Sequence, residues 1–250
     1  MSAAVVDGVV IVVIDNPDKR NALDDRARHA LLGELRSAVD DAACRAIVLA
    51  GVPGAFCAGG ELATMPTDEA RIRVRLGEMQ EIARLLHTGP KPVVAAVDGP
   101  AMGSGLALAA ACDRIVASPR ARFGCSFGRV GLVPDVGAAW TLRRRLGEGV
   151  ARDFMLHSRV LDADRAAAVG LVDELAGDDV VARATAWAAG FRDAAPGALA
   201  TLKALLAADT PSFDAFLAAE LEAQVSRLTS ADFAEGRDAF LERRAPRFSG

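Results

Sequence analysis

The chain contains no tyrosine, only two tryptophans and only three histidines in 250 residues. His29, His87 and His157 stand far apart, and nothing in the sequence draws two of them together, so they read as surface or capping residues and no metal site is expected. A Ser/His/Asp hydrolase is disfavoured, because there is no G-x-S-x-G elbow and Gly103-Ser104-Gly105 is too short to make one. Four cysteines, Cys44, Cys57, Cys112 and Cys125, include no CxxC pair and no neighbouring histidine. They are expected to be reduced thiols without a metal or disulfide role.

An excess of positive charge is missing as well. The formal net charge is -4, which offers no basic field to nucleic acid or anionic lipid, so any anionic substrate must be held by local groups. No apolar run reaches the roughly 18 to 20 residues needed to cross a bilayer, and the longest candidate, 92–111, is interrupted by Asp98, Gly99 and Pro100. Residues 1–13 lack the basic region of a secretory leader. These absences point to a cytoplasmic protein with neither membrane nor nucleic-acid partner. Low-complexity tracts, Gly/Ser linkers and literal repeats are lacking too.

What the chain does have is a hydrophobic content of 52%, enough at this length for one sizeable core. Val5-Val6 and Val9 to Ile14 flank Asp7-Gly8, which predicts a hairpin. Ala27, Leu31, Leu35 and Val39 recur at helical spacing over 24–41, and a second amphipathic helix is predicted over 69–86. Short β-branched runs at 46–50, 92–97 and 114–117 read as buried strands. Residues 104–111 form a helix without a polar face, and a further helix follows Pro134 and stops near Gly147. From Ala151 onward strand signals mostly cease. The alternation predicts an α/β core followed by a helical region.

Three segments could carry chemistry. Ala55 to Leu62 follows a strand, and Gly59-Gly60 would let backbone approach a ligand closely, although its spacing is neither a Walker nor a dinucleotide motif. Gly99 to Leu106 leads into the buried helix, whose free N–H groups would suit an oxyanion; close helix packing explains the small residues equally well, and the two readings are compatible. The third, Phe123 to Gly137, places Asp135 after a proline and before a helix. An N-cap role is one reading of Asp135. Its apolar neighbours Val133, Val136 and Trp140 allow another, a carboxyl whose pKa burial raises towards that of a proton-shuttling base.

In this order the three segments resemble the crotonase (enoyl-CoA hydratase/isomerase) superfamily, and the resemblance extends over nearly the whole chain. Asn16 to Leu23 is similar to the family's early CoA-binding turn; 163–173, 199–206 with Lys203, and the tail 240–248 fall in register with family segments. The resemblance implies a spiral of ββα units over 1–190, a helical trimerisation region over 191–250, and an assembly that is a homotrimer or a dimer of trimers. It implies an acyl-CoA thioester as substrate, with coenzyme A entering as part of that substrate and no other cofactor. Lys19, Arg20, Ala22, Gly60, Glu61 and Leu62 would contact it, Glu61 fixing the loop through nearby N–H groups. The oxyanion donors would be the backbone N–H groups of Ala58 and Ser104, the latter at a position where the family often has glycine.

Departures from the family pattern refine the expected chemistry. The two glutamates that handle water in the hydratases are matched here by Ala107 and Phe127, neither of which transfers a proton. Asp135 falls where isomerase-like members carry an acid. The dehalogenase branch is disfavoured, since its histidine is matched by Gln80 and its tryptophan by Phe127. The expected activity is therefore a double-bond shift in an unsaturated acyl-CoA through an enolate, with Asp135 moving the proton. A hydratase or another enolate reaction, and a non-catalytic acyl-CoA-binding protein, are the alternatives.

Overall fold

The computed structural model describes residues 5–177 and 179–248, so the first residues of the 1–13 segment and the last two of the 191–250 region lie outside it. Strands β1 (Val5–Val6) and β2 (Val9–Ile14) pair antiparallel across Asp7 and Gly8. Both turn residues have positive φ, 51° and 77°, the twist that matches a two-residue hairpin and that Asp-Gly tolerates. Next come α1 (Asp25–Asp40), β3 (Ala46–Gly51), α2 (Glu69–His87), β4 (Val93–Val97), β5 (Pro100–Met102), α3 (Ser104–Ala111), β6 (Arg114–Ala117) and β7 (Arg122–Gly124). The chain continues through α4 (Ala138–Leu146), α5 (Glu148–Leu156), β8 (Val160–Asp162), α6 (Ala163–Ala168), β9 (Glu174–Leu175), α7 (Val180–Ala189), α8 (Pro196–Ala207), α9 (Phe213–Leu228) and α10 (Ala231–Glu242).

Six strands form one sheet in the order β1-β2-β3-β4-β6-β9, parallel throughout except at the β1 hairpin. Period-two alternation divides its side chains between two cores. Val10, Val12, Ile47, Leu49, Val93 and Ile115 belong to the core that also takes in side chains of α1, α2 and α3, whereas Val9, Val48, Val94 and Val116 meet Val180, Ala184 and Ala188 of α7. Burial on both faces explains why these strands read as continuous apolar runs.

A second, smaller sheet, β5-β7-β8, is extended by two single bridges, Cys57 with Ala101 and Leu23 with Gly60. Each spiral turn therefore runs from a strand of the large sheet, through a short segment of the second stack, into a helix, as in β4-β5-α3. The short strands β5, β7, β8 and β9 lack the β-branched runs that would have marked them; 100–102 reads in sequence as turn and loop. They are strands because the neighbouring turn of the spiral offers them partners.

The stack requires backbones to touch. A Cβ built on Gly105 would lie 2.2 Å from the Cys57 carbonyl oxygen, and one on Gly59 would lie 2.8 Å from that of Met102. Replacing Gly105 by alanine should therefore destabilise the fold by about 1–3 kcal/mol through overpacking. The exposed helical Gly33 has no atom within 4 Å of its Cβ position, and its alanine variant should gain about 0.5–1 kcal/mol. Urea-denaturation midpoints of the two variants check this contrast.

Candidate active site

The C-terminal ends of β3 and β4 deliver the chain into the two glycine-containing loops, and backbone hydrogen bonds register them. Cys57 N–H donates to Pro100 O and Met102 N–H to Cys57 O, both at 2.9 Å; Leu23 N–H donates to Gly59 O at 2.8 Å and Glu61 N–H to Leu23 O at 3.4 Å. In a parallel bridge the residue flanked by these bonds keeps its own N–H pointing away from the partner. That residue is Gly60.

This corrects the expected donor pair. The Ala58 N–H donates to the Arg20 carbonyl at 3.0 Å and is already spent on holding the loop to the 16–23 turn. The Gly60 N–H has no acceptor among the described residues, and neither has that of Ser104, the first residue of α3, where the helix leaves its N–H groups free. Gly59 at φ 99° and Gly103 at φ 51° bend the two chains so that both N–H groups border one cleft of about 110 Å³.

Asp135 enters the same cleft. It is not an N-cap: α4 starts at Ala138, Gly137 is its cap residue, and Asp135 contributes only its main-chain oxygen, which accepts from Ala138 N–H at 2.9 Å. The carboxyl is left for the cleft, where Oδ1 accepts a long hydrogen bond from the Ser104 hydroxyl at 3.4 Å. Next to it Val136 is held at φ 53°, a left-handed conformation that costs a β-branched residue about 1–3 kcal/mol. The packing that buries the Val136 side chain (3% exposed) holds it there.

Burial raises the Asp135 pKa above the usual carboxylate value; the Ser104 hydroxyl, the residue's own N–H and the Arg75 guanidinium pull it back to a smaller extent. The apolar surroundings are not those expected. Val133 is 81% exposed, and Trp140 faces outward with the Arg144 guanidinium over its ring, so only Val136 of that trio is buried. Met65, Met102, Phe127 and Leu132 wall the cleft instead.

The remaining expected residues fall into two groups. Lys19 Nζ meets Glu61 Oε1 at 2.5 Å, and Glu61 also accepts from the Thr64 hydroxyl at 3.2 Å. Glu61 thus fixes its loop through a lysine and a hydroxyl, with no loop N–H donating to its carboxylate among the described residues. Ala22 is buried and its carbonyl accepts from Asn16 Nδ2 at 2.8 Å, Leu62 is exposed at the cleft rim, and the exposed Arg20 side chain forms no ion pair among the described residues. The Leu23–Gly60 bridge sets this turn beside the cleft.

Outside the site, His29 pairs with Glu78 and His157 with Asp153 on the surface. All four cysteines are free and buried, and burial pushes the Cys57 and Cys112 thiols up to about 12. No cluster of three metal-ligating side chains occurs among the described residues, and no described helix is long and apolar enough to cross a membrane. Ala107 is fully buried within α3, and Phe127 lines the cleft at 6% exposure.

A sequence model of the family described as enoyl-CoA hydratase/isomerase matches residues 5–250. A Rhodobacter capsulatus protein named "probable enoyl-CoA hydratase" is 37% identical over 247 residues, covering 98% of this chain and 95% of the relative. The Escherichia coli 1,2-epoxyphenylacetyl-CoA isomerase is 33% identical over 253 residues, covering 97% and 95%. Among solved structures, an enoyl-CoA hydratase from Polaromonas superposes with a TM-score of 0.85 at 34% identity, covering 96% of each chain.

The raised Asp135 pKa has a sign that stability measurements can read. A carboxyl that binds its proton more tightly in the folded state favours folding below the unfolded value, about 3.9, and that contribution is lost as pH rises through the folded value. Asp135→Asn, which cannot ionise, should melt above the wild type at neutral pH, with the gap closing on acidification through the raised value. Ser104→Ala removes a donor to the charged form and should move the carboxyl pKa further up, as followed by carbon NMR of labelled aspartate.

Proposed function

The chain belongs to the enoyl-CoA hydratase/isomerase family, and on that premise we propose that it is a cytoplasmic isomerase that shifts the double bond of an unsaturated acyl-CoA. The observation that carries this reading is that Asp135 is the sole titratable group among the described residues lining a cleft bordered by two free backbone N–H groups. The Asp135 carboxylate removes a proton from the α carbon of a 3-enoyl thioester. The electron pair moves onto the thioester oxygen as a dienolate, held by the N–H groups of Gly60 and Ser104. The proton then returns from Asp135 to the γ carbon, giving the conjugated 2-enoyl thioester.

Atoms balance with one carboxyl, so no metal and no further cofactor is needed; coenzyme A enters as part of the substrate. Each oxyanion donor in a site of this kind contributes about 3 kcal/mol of barrier lowering. The raised pKa of Asp135 suits a group that must both take and return a proton. Several relatives are named hydratases, but adding water calls for groups that position and deprotonate it. The positions at which the family resemblance puts those groups hold Ala107 and Phe127 here. The name of the Escherichia coli relative favours isomerisation.

Lys19, Arg20 and the 58–62 loop would take the nucleotide end of the thioester, with Arg20 as the unpaired cation. The 191–250 region would serve assembly into a homotrimer or a dimer of trimers, 1–190 being the catalytic core. Within the described residues α9 buries no side chain, while Leu217, Leu221, Val225 and Leu228 form an exposed stripe along it. Ultraviolet absorbance of the conjugated thioester tests the activity. It should rise when wild type meets a 3-enoyl-CoA and stay flat with Asp135→Asn, at least 100-fold slower. Absorbance falling with a 2-enoyl-CoA would make the protein a hydratase, and CoA-thioester binding with no turnover of either would leave a binding protein.

A further inference from the structure

The core-facing stripe of α2 is Arg75, Met79, Ile82 and Leu86, so a guanidinium occupies a position where helical periodicity calls for an apolar residue. Arg75 is 7% exposed. A cation is kept out of water only where its hydrogen bonds are met, and an arginine in this position retains its charge. Nη2 donates at 2.9 Å to the Leu23 carbonyl, the same oxygen that accepts the Glu61 N–H, so the guanidinium closes the bridge that frames Gly60. A Cβ built on Gly60 would lie 3.2 Å from Nη2, which places the charge directly behind that residue.

The surrounding charges leave this cation partly uncompensated. From α1, Asp25 approaches Nη1 at 3.4 Å, but Asp25 is largely exposed and is held more closely by Arg28 at 2.8 Å. Arg28 is itself a cation that acts against Arg75, while Asp135 and, more weakly, Asp24 favour its charge, and Arg75 in turn favours the Asp135 carboxylate. A fixed positive charge next to a mostly apolar cleft acts on any negative charge that develops there.

We infer that Arg75 is the fixed cation of the oxyanion hole, a positioning residue that clamps the Gly60 loop through the Leu23 carbonyl and lends its charge to the enolate and to the Asp135 carboxylate. The inference rests on the proposed enolate chemistry and extends it to a residue that does not touch the substrate.

Charge and clamp separate in two variants. Arg75→Gln keeps a donor for the Leu23 carbonyl without the charge; Arg75→Lys keeps the charge on one nitrogen in place of the planar guanidinium. The probe is cinnamoyl-CoA, a conjugated thioester whose absorption moves to longer wavelength when its carbonyl is polarised, read beside steady-state turnover of a 3-enoyl-CoA. Arg75→Gln should lose most of the red shift and roughly tenfold or more of kcat with KM within about threefold. The acid limb of its pH profile should move up, because a cation favouring the carboxylate has gone. Arg75→Lys should retain most of the shift. A red-shifted wild type matched by Arg75→Gln overturns the inference alone, as do equal losses in both variants, which would leave Arg75 a clamp. A wild type that leaves the probe unshifted overturns the oxyanion reading and this inference with it.

Discussion

Everything in the site hangs on the approach of two backbones, the 57–60 segment and the 101–105 segment. Cys57 and Ala101 bridge, and the Gly105 Cα packs against the Cys57 carbonyl with no room for a methyl group. That contact brings the free N–H at the start of α3 to the same cleft as the free N–H of Gly60. It also explains why α3 is buried on all sides: a helix so close to two strands has no solvent face, and small residues are what fit. The two sequence readings of this stretch, close packing and anion binding, describe one arrangement.

Electrostatics are then arranged around an almost apolar space. The carboxyl of Asp135 loses its water on entering the cleft and binds its proton more tightly. Ser104 contributes twice, with a main-chain N–H bordering the cleft and a hydroxyl donating to Asp135. A glycine at this position, as the family often has, would supply only the first. The strained Val136 holds the carboxyl-bearing loop, and its cost is borne by the surrounding core. Charges farther out serve geometry: the Lys19–Glu61 pair ties the 16–23 turn to the loop over the cleft, and the buried Arg28 joins α1 to α2 through Glu78 at 2.6 Å.

Elements that bury long apolar stretches were legible in the sequence. The hairpin, α1, α2, α3 and the strands around 46–50, 93–97 and 114–117 appear within a residue or two of their expected limits. The strands of the second sheet were not legible, since Pro100-Ala101-Met102 has no strand signature of its own and is ordered by partners distant in the chain. Asp135 was singled out in the sequence as a buried acid, and the structure puts it in the cleft, but two of its three expected apolar neighbours face solvent. Proximity in sequence says little about burial in a loop, where side-chain direction follows no period.

Composition and periodicity by themselves determined the α/β class, because it depends on hydrophobic pattern, while the family and the cleft-forming loops were reached through the resemblance that the three segments carry in their order. Only the tertiary structure decided which N–H groups are free. Ala58 and Gly60 are two residues apart in one loop and equivalent in pattern, yet one donates to the Arg20 carbonyl and the other finds no acceptor among the described residues. The register of the Leu23–Gly60 bridge makes that difference, and register arises between segments that meet only when the chain has folded.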